Sequence, residues 1–315
     1  MGGTDRLESS YPSYLALYES GELDKRIEEA YRRLEKCNLC PRKCGVNRLE
    51  NERGFCQVGR KAVISSYGAH FGEEAPLVGR GGSGTIFITS CNLGCIFCQN
   101  YEISHWRVGE EVDDEEFARM MLYLQARGCH NINIVTPSHI VPQFLSALKI
   151  AIGKGLRLPI VYNTSSYDSL ETLRLLEGII DIYMPDTKFA DGKVAKEFCN
   201  APDYPEVMKE AIKEMHRQVG ELVLNEEGIA VRGLLVRHLV MPEGLAGTEE
   251  ICRFIAEEIS PHTYINIMAQ YRPCYKAVGH HKIGRRITRS EFEKAMEIAR
   301  KAGLYRFDEP RWFIF

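Results

Sequence analysis

The sequence predicts an α/β fold: a partial (βα)6-type barrel of parallel strands, preceded by a small N-terminal Cys-rich metal-binding appendage. Three observations carry this. Short runs of β-branched and aromatic residues alternate with helical apolar periods along most of the 315 residues, a pattern that builds a parallel sheet with right-handed crossovers. Six such strand-and-helix pairs fit between residues 85 and 303, fewer than a complete barrel needs. Seven of the eleven cysteines fall in two tight clusters, one before the first of these strands and one directly after it. A chain of this length with 44% hydrophobic residues suffices for one large domain with an appendage. The expected division is 1–64 for an N-terminal helix and the Cys-rich segment, 65–84 for a connector, and 85–315 for the barrel with a C-terminal extension.

In chain order, ELDKRIEEAYRRLEK at 22–36 alternates charge with Leu23, Ile27, Ala30, Tyr31 and Leu34, which predicts a helix leading into the first cysteine cluster. GRGGSG at 79–84 reads as a flexible connector or lid before the buried strand TIFIT at 85–89. Further strands are expected at NINIV (131–135), PIVYN (159–163), IIDIYM (179–184), GLLVRHLVM (233–241) and TYINIM (263–268). Helical periods fit at 113–128, 142–154, 169–178, 205–220, 248–259 and 289–303. The first of these opens on Asp113, Asp114, Glu115 and Glu116, acids suited to a helix N-terminus. The terminal DEPRWFIF is expected to pack on the barrel or across its open edge. No repeat of fixed period and no low-complexity tract occurs.

Lys and Arg number 40 against 43 Asp and Glu, a formal net charge of -3, so no strong field recruits nucleic acid or an anionic membrane, and neither is expected as a partner. The N-terminal MGGTDRLESSYPSYLALYES lacks a basic region followed by an apolar core, and no run approaches the ~18 apolar residues of a membrane helix. A cytoplasmic location is expected. There, clustered thiols serve as metal ligands more readily than as disulfides, because the cytosol keeps them reduced.

The glycine run does not make a phosphate cradle, because it precedes a strand instead of following one and opening a helix. The cluster Cys91, Cys95 and Cys98 follows the first strand, which puts it on a loop at the C-terminal mouth, where such folds keep their chemistry. Three thiolates on one loop suit three corners of a [4Fe-4S] cluster and leave the fourth iron free. A closed zinc site would need a fourth ligand and is usually built from pairs.

On these residues, CNLGCIFC at 91–98 resembles the signature of the radical S-adenosylmethionine (SAM) enzymes, with Phe97 at the aromatic position near adenine. The resemblance extends from about Thr85 to about Ile283. It implies SAM chelated to the open iron and cleaved by the reduced cluster to a 5'-deoxyadenosyl radical that abstracts a substrate hydrogen. Within that superfamily the chain is most similar to activating proteins of glycyl-radical enzymes, such as the pyruvate formate-lyase activator, and closer still to an activator-like branch with a Cys-rich N-terminus. Cys98-Gln99-Asn100 matches their Cys-x-Asn, MPDTK with Asp186 and Lys188 matches their Asp-x-Lys, and RHLVMPEG resembles their arginine-bearing strand through Arg237. The implied partners are a flavodoxin or ferredoxin as electron donor and a glycyl-radical enzyme as substrate.

One departure concerns the second strand. Where the activators carry Gly-Gly-Glu for the methionyl amine, this chain has Thr136-Pro137-Ser138-His139, so backbone carbonyls or the Thr136 and Ser138 hydroxyls are the expected acceptors. His139 is either a proton donor or substrate contact at the mouth, or a loop residue that caps a helix or faces solvent. Asn163 and Ser165 suit the ribose or methionyl carboxylate, with turn chemistry as the plainer reading. Asp186 and Lys188 form a charged pair costly to leave idle if partly buried.

Cys37, Cys40, Cys44 and Cys56 are four thiolates in a small polar segment that a metal would order, either zinc or a second iron-sulfur cluster; spacing does not choose, and zinc needs no redox partner. Of the other cysteines, Cys129 and Cys252 fit as small core residues, Cys199 has no assigned role, and Cys274 lies just past the last strand. A thiol at that mouth would donate hydrogen to a substrate radical, which motivates an alternative, radical modification or epimerisation of a small molecule or peptide; a buried loop thiol is the plainer reading. A non-catalytic iron-sulfur redox protein is the remaining alternative. The basic run HHKIGRRITR at 280–289 suits a phosphate or acidic partner, or a solvated surface.

Overall fold

A computed structural model describes residues 11–308; the terminal 309–315, expected on the barrel or its edge, lie outside the described residues. Two helices lead the chain, α1 (Tyr14–Glu19) and α2 (Glu22–Glu35). The Cys-rich stretch follows, and then β1 (Ala62–His70), the single turn α3 (Ala75–Val78) and β2 (Ser83–Ile88). Next come α4 (Tyr101–Ser104), β3 (Glu110–Val112), α5 (Asp114–Ala126), β4 (Ile132–Val135), α6 (Val141–Gly153), β5 (Ile160–Thr164) and α7 (Leu170–Leu175). β6 (Ile182–Thr187) is followed by α8 (Gly192–Cys199) and α9 (Tyr204–Val219). After β7 (Val223–Leu224) and β8 (Ala230–Leu239) comes α10 (Thr248–Phe254), and after β9 (Tyr264–Met268) come α11 (Arg289–Lys301) and β10 (Arg306–Phe307).

Hydrogen-bonded neighbours run β10-β9-β8-β6-β5-β4-β2-β1-β3, with β7 on β8 beside this path. Every pair from β10 to β2 is parallel, and β1 is antiparallel to both β2 and β3. The six expected strands, β2, β4, β5, β6, β8 and β9, therefore lie side by side in chain order, and the row ends at β3 and β10 without closing. This is the partial barrel. Parallel register lines up Val135 with Asn163, Asn163 with Met184, Asp186 with Arg237, and Arg237 with Asn266. Strand-end side chains are thus brought to one level. Among the described residues no helix is long and apolar enough to cross a membrane.

The stretch 65–84, expected as a connector, is structured. Residues 62–70 form β1 on the flank of β2, and the glycines are there for close packing. A Cβ on Gly81 would lie 1.9 Å from the Gly128 carbonyl oxygen, and one on Gly84 2.5 Å from that of Asn131. Only a residue without Cβ lets β2 approach β4 at this point. Between β1 and β2 the chain folds under the sheet, where Leu77 packs with Val161, Ile182, Met184 and Leu235 in a separate apolar cluster. The main core runs through Tyr14, Leu23, Ala30, Cys56 and Val58 as well as the barrel strands and helices, so the N-terminal segment shares one interior with the barrel. Cys129 and Cys252 are buried within it.

Candidate active site

The loop after β2 is bent and pinned. Ser90 and Gly94 take left-handed φ values of 73° and 79°. The Ile96 N–H donates to the Phe198 carbonyl at 2.9 Å, and Lys276 N–H to that of Ile96 at 3.0 Å. Each sulfur on this loop accepts a donor: Leu93 N–H to Cys91 at 3.3 Å, the Ser104 hydroxyl to Cys98 at 3.2 Å, and the Cys199 thiol to Cys95 at 3.2 Å. Burial, with Cys95 beside it, pushes the free Cys91 thiol up to about 11; the unloaded site therefore holds neutral thiols, and loading releases protons.

Cys91, Cys95 and Cys98 line a cavity of about 220 Å³ together with the ends of β4, β5, β6 and β8. Phe97, Asn100, Thr136, Asn163 and Ser165 contribute to its wall, and so do Asp186, Lys188 and Arg237. Asp186 accepts from Arg237 Nε at 2.8 Å and from Lys188 Nζ at 2.7 Å, while Arg237 Nη2 donates to Asn163 Oδ1 at 2.7 Å. Burial is the largest influence on the Asp186 carboxyl and opposes its ionisation, yet the two cations together hold it below the usual carboxylate range. Behind Arg237, Glu73 Oε2 lies 3.7 Å from Nη1. The Ser165 hydroxyl is buried with no partner, which is the state of a group that a ligand would complete. Thr136 is β-branched with φ 62°, a strained conformation at the strand end. Oxygen acceptors for an ammonium and two cations for a carboxylate face one space beside three thiols, so the donor set fits a four-iron cluster and a sulfonium amino acid.

Not every expected residue reaches this cavity. Ser138 and His139 are buried outside its lining. The Ser138 hydroxyl meets the Thr164 hydroxyl at 3.3 Å, and His139 Nε2 donates to the Thr89 carbonyl at 3.0 Å. Burial holds the His139 imidazole down to about 4, so it is neutral at pH 7. Cys274 is buried and likewise outside the lining.

Cys37, Cys40, Cys44 and Cys56 line a second, small cavity with Arg48, Asn92 and His139. Arg42, Phe55 and Val58 backbone N–H groups donate to Cys40, Cys44 and Cys56 respectively, and Arg48 Nη1 lies 4.0 Å from Cys37 Sγ. Arg48 is 1% exposed. Among the described residues its other partners are the Gly59 and His139 carbonyls, not a carboxylate, so a buried cation waits beside four sulfurs. The thiols are free, and among the described residues no three His, Cys, Asp or Glu side chains are arranged to hold a metal ion as they stand.

Arg42 joins the two sites. Its guanidinium donates to the Asn92, Leu93, Cys199 and Asn200 carbonyls at 2.9, 2.9, 3.2 and 2.6 Å and packs 4.0 Å from the Phe55 ring centroid. Sequence reasoning missed Arg42, Arg48, Glu73 and Cys199. The cation inside CPRKC was the one available signal.

A profile of the Radical SAM superfamily matches residues 85–225, which marks that stretch as a radical SAM domain and implies a [4Fe-4S] cluster and SAM. Over 290 residues it is 33% identical to the uncharacterized protein MJ0674 of Methanocaldococcus jannaschii, covering 90% of this chain and 79% of that one. A radical SAM methyltransferase from Sphaerobacter thermophilus is 15% identical, with 70% of this chain and 64% of that one covered at a TM-score of 0.48. A domain of a pyruvate-formate lyase-activating enzyme from Bacteroides vulgatus is 14% identical, with 61% and 88% covered at 0.35. Neither likeness bears on the substrate.

Proposed function

We propose that this protein abstracts a hydrogen atom from a glycine Cα of a partner enzyme, using a [4Fe-4S] cluster on Cys91, Cys95 and Cys98 and SAM bound beside it. The observation that carries the chemistry is the single cavity shared by three thiols and the Asn163, Asp186, Lys188 and Arg237 group. The glycine substrate rests on the resemblance of CQN, MPDTK and RHLVMPEG to the activators.

When bound, the cluster and SAM supply one-electron cleavage of the sulfonium and a hydrogen-abstracting radical. The chain's own part is binding and insulation. Asp186, Asn163, Ser165 and Thr136 offer oxygens to the methionyl ammonium, which replaces the missing Gly-Gly-Glu carboxylate. Lys188 and Arg237 neutralise the methionyl carboxylate, and Phe97 supplies an apolar face for adenine. A low-potential flavodoxin or ferredoxin delivers the electron. Cys37, Cys40, Cys44 and Cys56 hold a second metal centre, zinc or iron-sulfur, whose anionic thiolates offset the Arg48 charge. The donor bonds to those sulfurs support this. Epimerisation through Cys274 finds no support in the cavity lining.

The test is anaerobic reconstitution with dithionite and SAM, followed by incubation with a purified glycyl-radical enzyme. Expected are 5'-deoxyadenosine and a glycyl-radical doublet by electron paramagnetic resonance. Iron-replete protein that makes no 5'-deoxyadenosine would overturn the enzyme reading. Deoxyadenosine without any partner doublet, but with deuterium drawn from a labelled metabolite or peptide, would overturn only the glycine substrate.

A further inference from the structure

We infer that Cys199 tunes the reduction potential of the radical cluster by donating an S–H hydrogen bond to the Cys95 ligand sulfur. This rests on the cluster reading proposed above. Two ligands take conventional donors, Leu93 N–H for Cys91 and the Ser104 hydroxyl for Cys98. For Cys95 the corresponding place is filled by a thiol, with Sγ to Sγ at 3.2 Å. That separation is longer than the ~2.05 Å of a disulfide. It is also too short for both sulfurs to bind separate irons, since ligands leave the corners of a cubane in diverging directions. What remains is a hydrogen bond from a non-ligating thiol.

The thiol is held where it is. Cys199 ends α8 and is 0% exposed. The neighbouring Phe198 carbonyl accepts the Ile96 N–H from within the cluster loop at 2.9 Å. Arg42 holds the Cys199 carbonyl at 3.2 Å with the same Nη2 that holds Leu93 at 2.9 Å. Helix end and cluster loop are therefore one fixed unit, which holds the Cys199 backbone beside Cys95.

A donor to a ligand sulfur withdraws electron density and favours the reduced, more negative cluster, so it raises the potential. A thiol is a weak donor. A hydroxyl in its place would donate more strongly, and a methyl not at all. The fold thus gives Cys95 an intermediate degree of electron withdrawal.

Reconstituted holoenzyme of wild type, Cys199→Ala, Cys199→Ser and Ser104→Ala is titrated potentiometrically, with the reduced cluster followed by electron paramagnetic resonance and iron counted per chain. The expected midpoints place Cys199→Ala below wild type and Cys199→Ser above it, at unchanged iron content. Ser104→Ala, which strips Cys98 of its side-chain donor, moves the same way as Cys199→Ala and calibrates the method. A wild-type midpoint in Cys199→Ala alongside a lowered one in Ser104→Ala would overturn the inference. So would iron loss in both Cys199 variants, which marks a ligand or packing role. If only the alanine variant fails to load, the serine midpoint decides: above wild type supports donation, and equal to it refutes donation. Wild type that takes up no four-iron cluster would instead sink the underlying cluster reading.

Discussion

Asp186 stands between Arg237 and Lys188 with its side chain 14% exposed, and theirs 16% and 15%. Removing one charge from so buried a group leaves the others unmatched. Asp186→Asn is expected to lower unfolding stability by about 3 kcal/mol and to weaken SAM binding at least tenfold, read by urea unfolding and equilibrium dialysis. His238 shows a different kind of residue effect. It is fully buried, donating from Nδ1 to the Thr187 carbonyl and accepting at Nε2 from Thr248, and burial pushes it down to about 4. Because the unfolded chain binds the proton more readily, stability is untouched above the ordinary value of about 6.5 and falls as pH drops from there toward about 4. The full loss is on the order of 3 kcal/mol. Urea midpoints of the metal-free protein between pH 7.5 and 4.5 should decline accordingly, and His238→Asn should lessen the decline, with the equally buried His139 contributing a like share of it.

At the scale of elements, Arg42 is a side chain whose hydrogen bonds tie the Cys-rich segment to the cluster loop. Arg42→Ala removes four carbonyl contacts at once, and an expected loss of about 2–4 kcal/mol should come with reduced iron uptake at Cys91, Cys95 and Cys98, seen as a lower iron-to-protein ratio and an earlier melting transition. No sequence pattern announces this contact, because Arg42 reaches partners 50 to 158 positions away. The six central strands were legible because both faces are covered, as in IIDIYM, where Ile179 to Met184 are all buried and the run is apolar apart from Asp181. β1 was not: AVISSYGAH is half exposed on the flank of the sheet, and its serines and glycine mask the period. β3, at three residues, is too short to carry one. Likewise the three-thiol motif is local and legible, whereas the Cys199 contact to Cys95 spans 104 positions and becomes visible only when α8 closes on the loop. The basic run at 280–289 is largely engaged within the chain, with Lys282 on Glu197, Arg285 on Glu291, and Thr288 capping α11.

For the whole molecule, the proposed second centre would share one interior with the radical cluster, so metal content and global stability should be linked. Cys40→Ser with Cys56→Ser is expected to remove the second metal and lower the unfolding midpoint of the entire chain, not of a detached segment. Elemental analysis separates the cases: a fall in zinc identifies a zinc centre, and a fall from about eight irons to about four identifies a second cubane cluster. Because the free thiols are pushed up, Cys40 to about 12, loading of either centre should become more complete as pH rises.

The apolar cluster of Leu77 with Val161, Met184 and Leu235 lies two positions before Asn163, Asp186 and Arg237 on the same strands, and so on the same face. The charged group at the cavity thus stands on a dry floor, and a floor without water strengthens every charge pairing made above it.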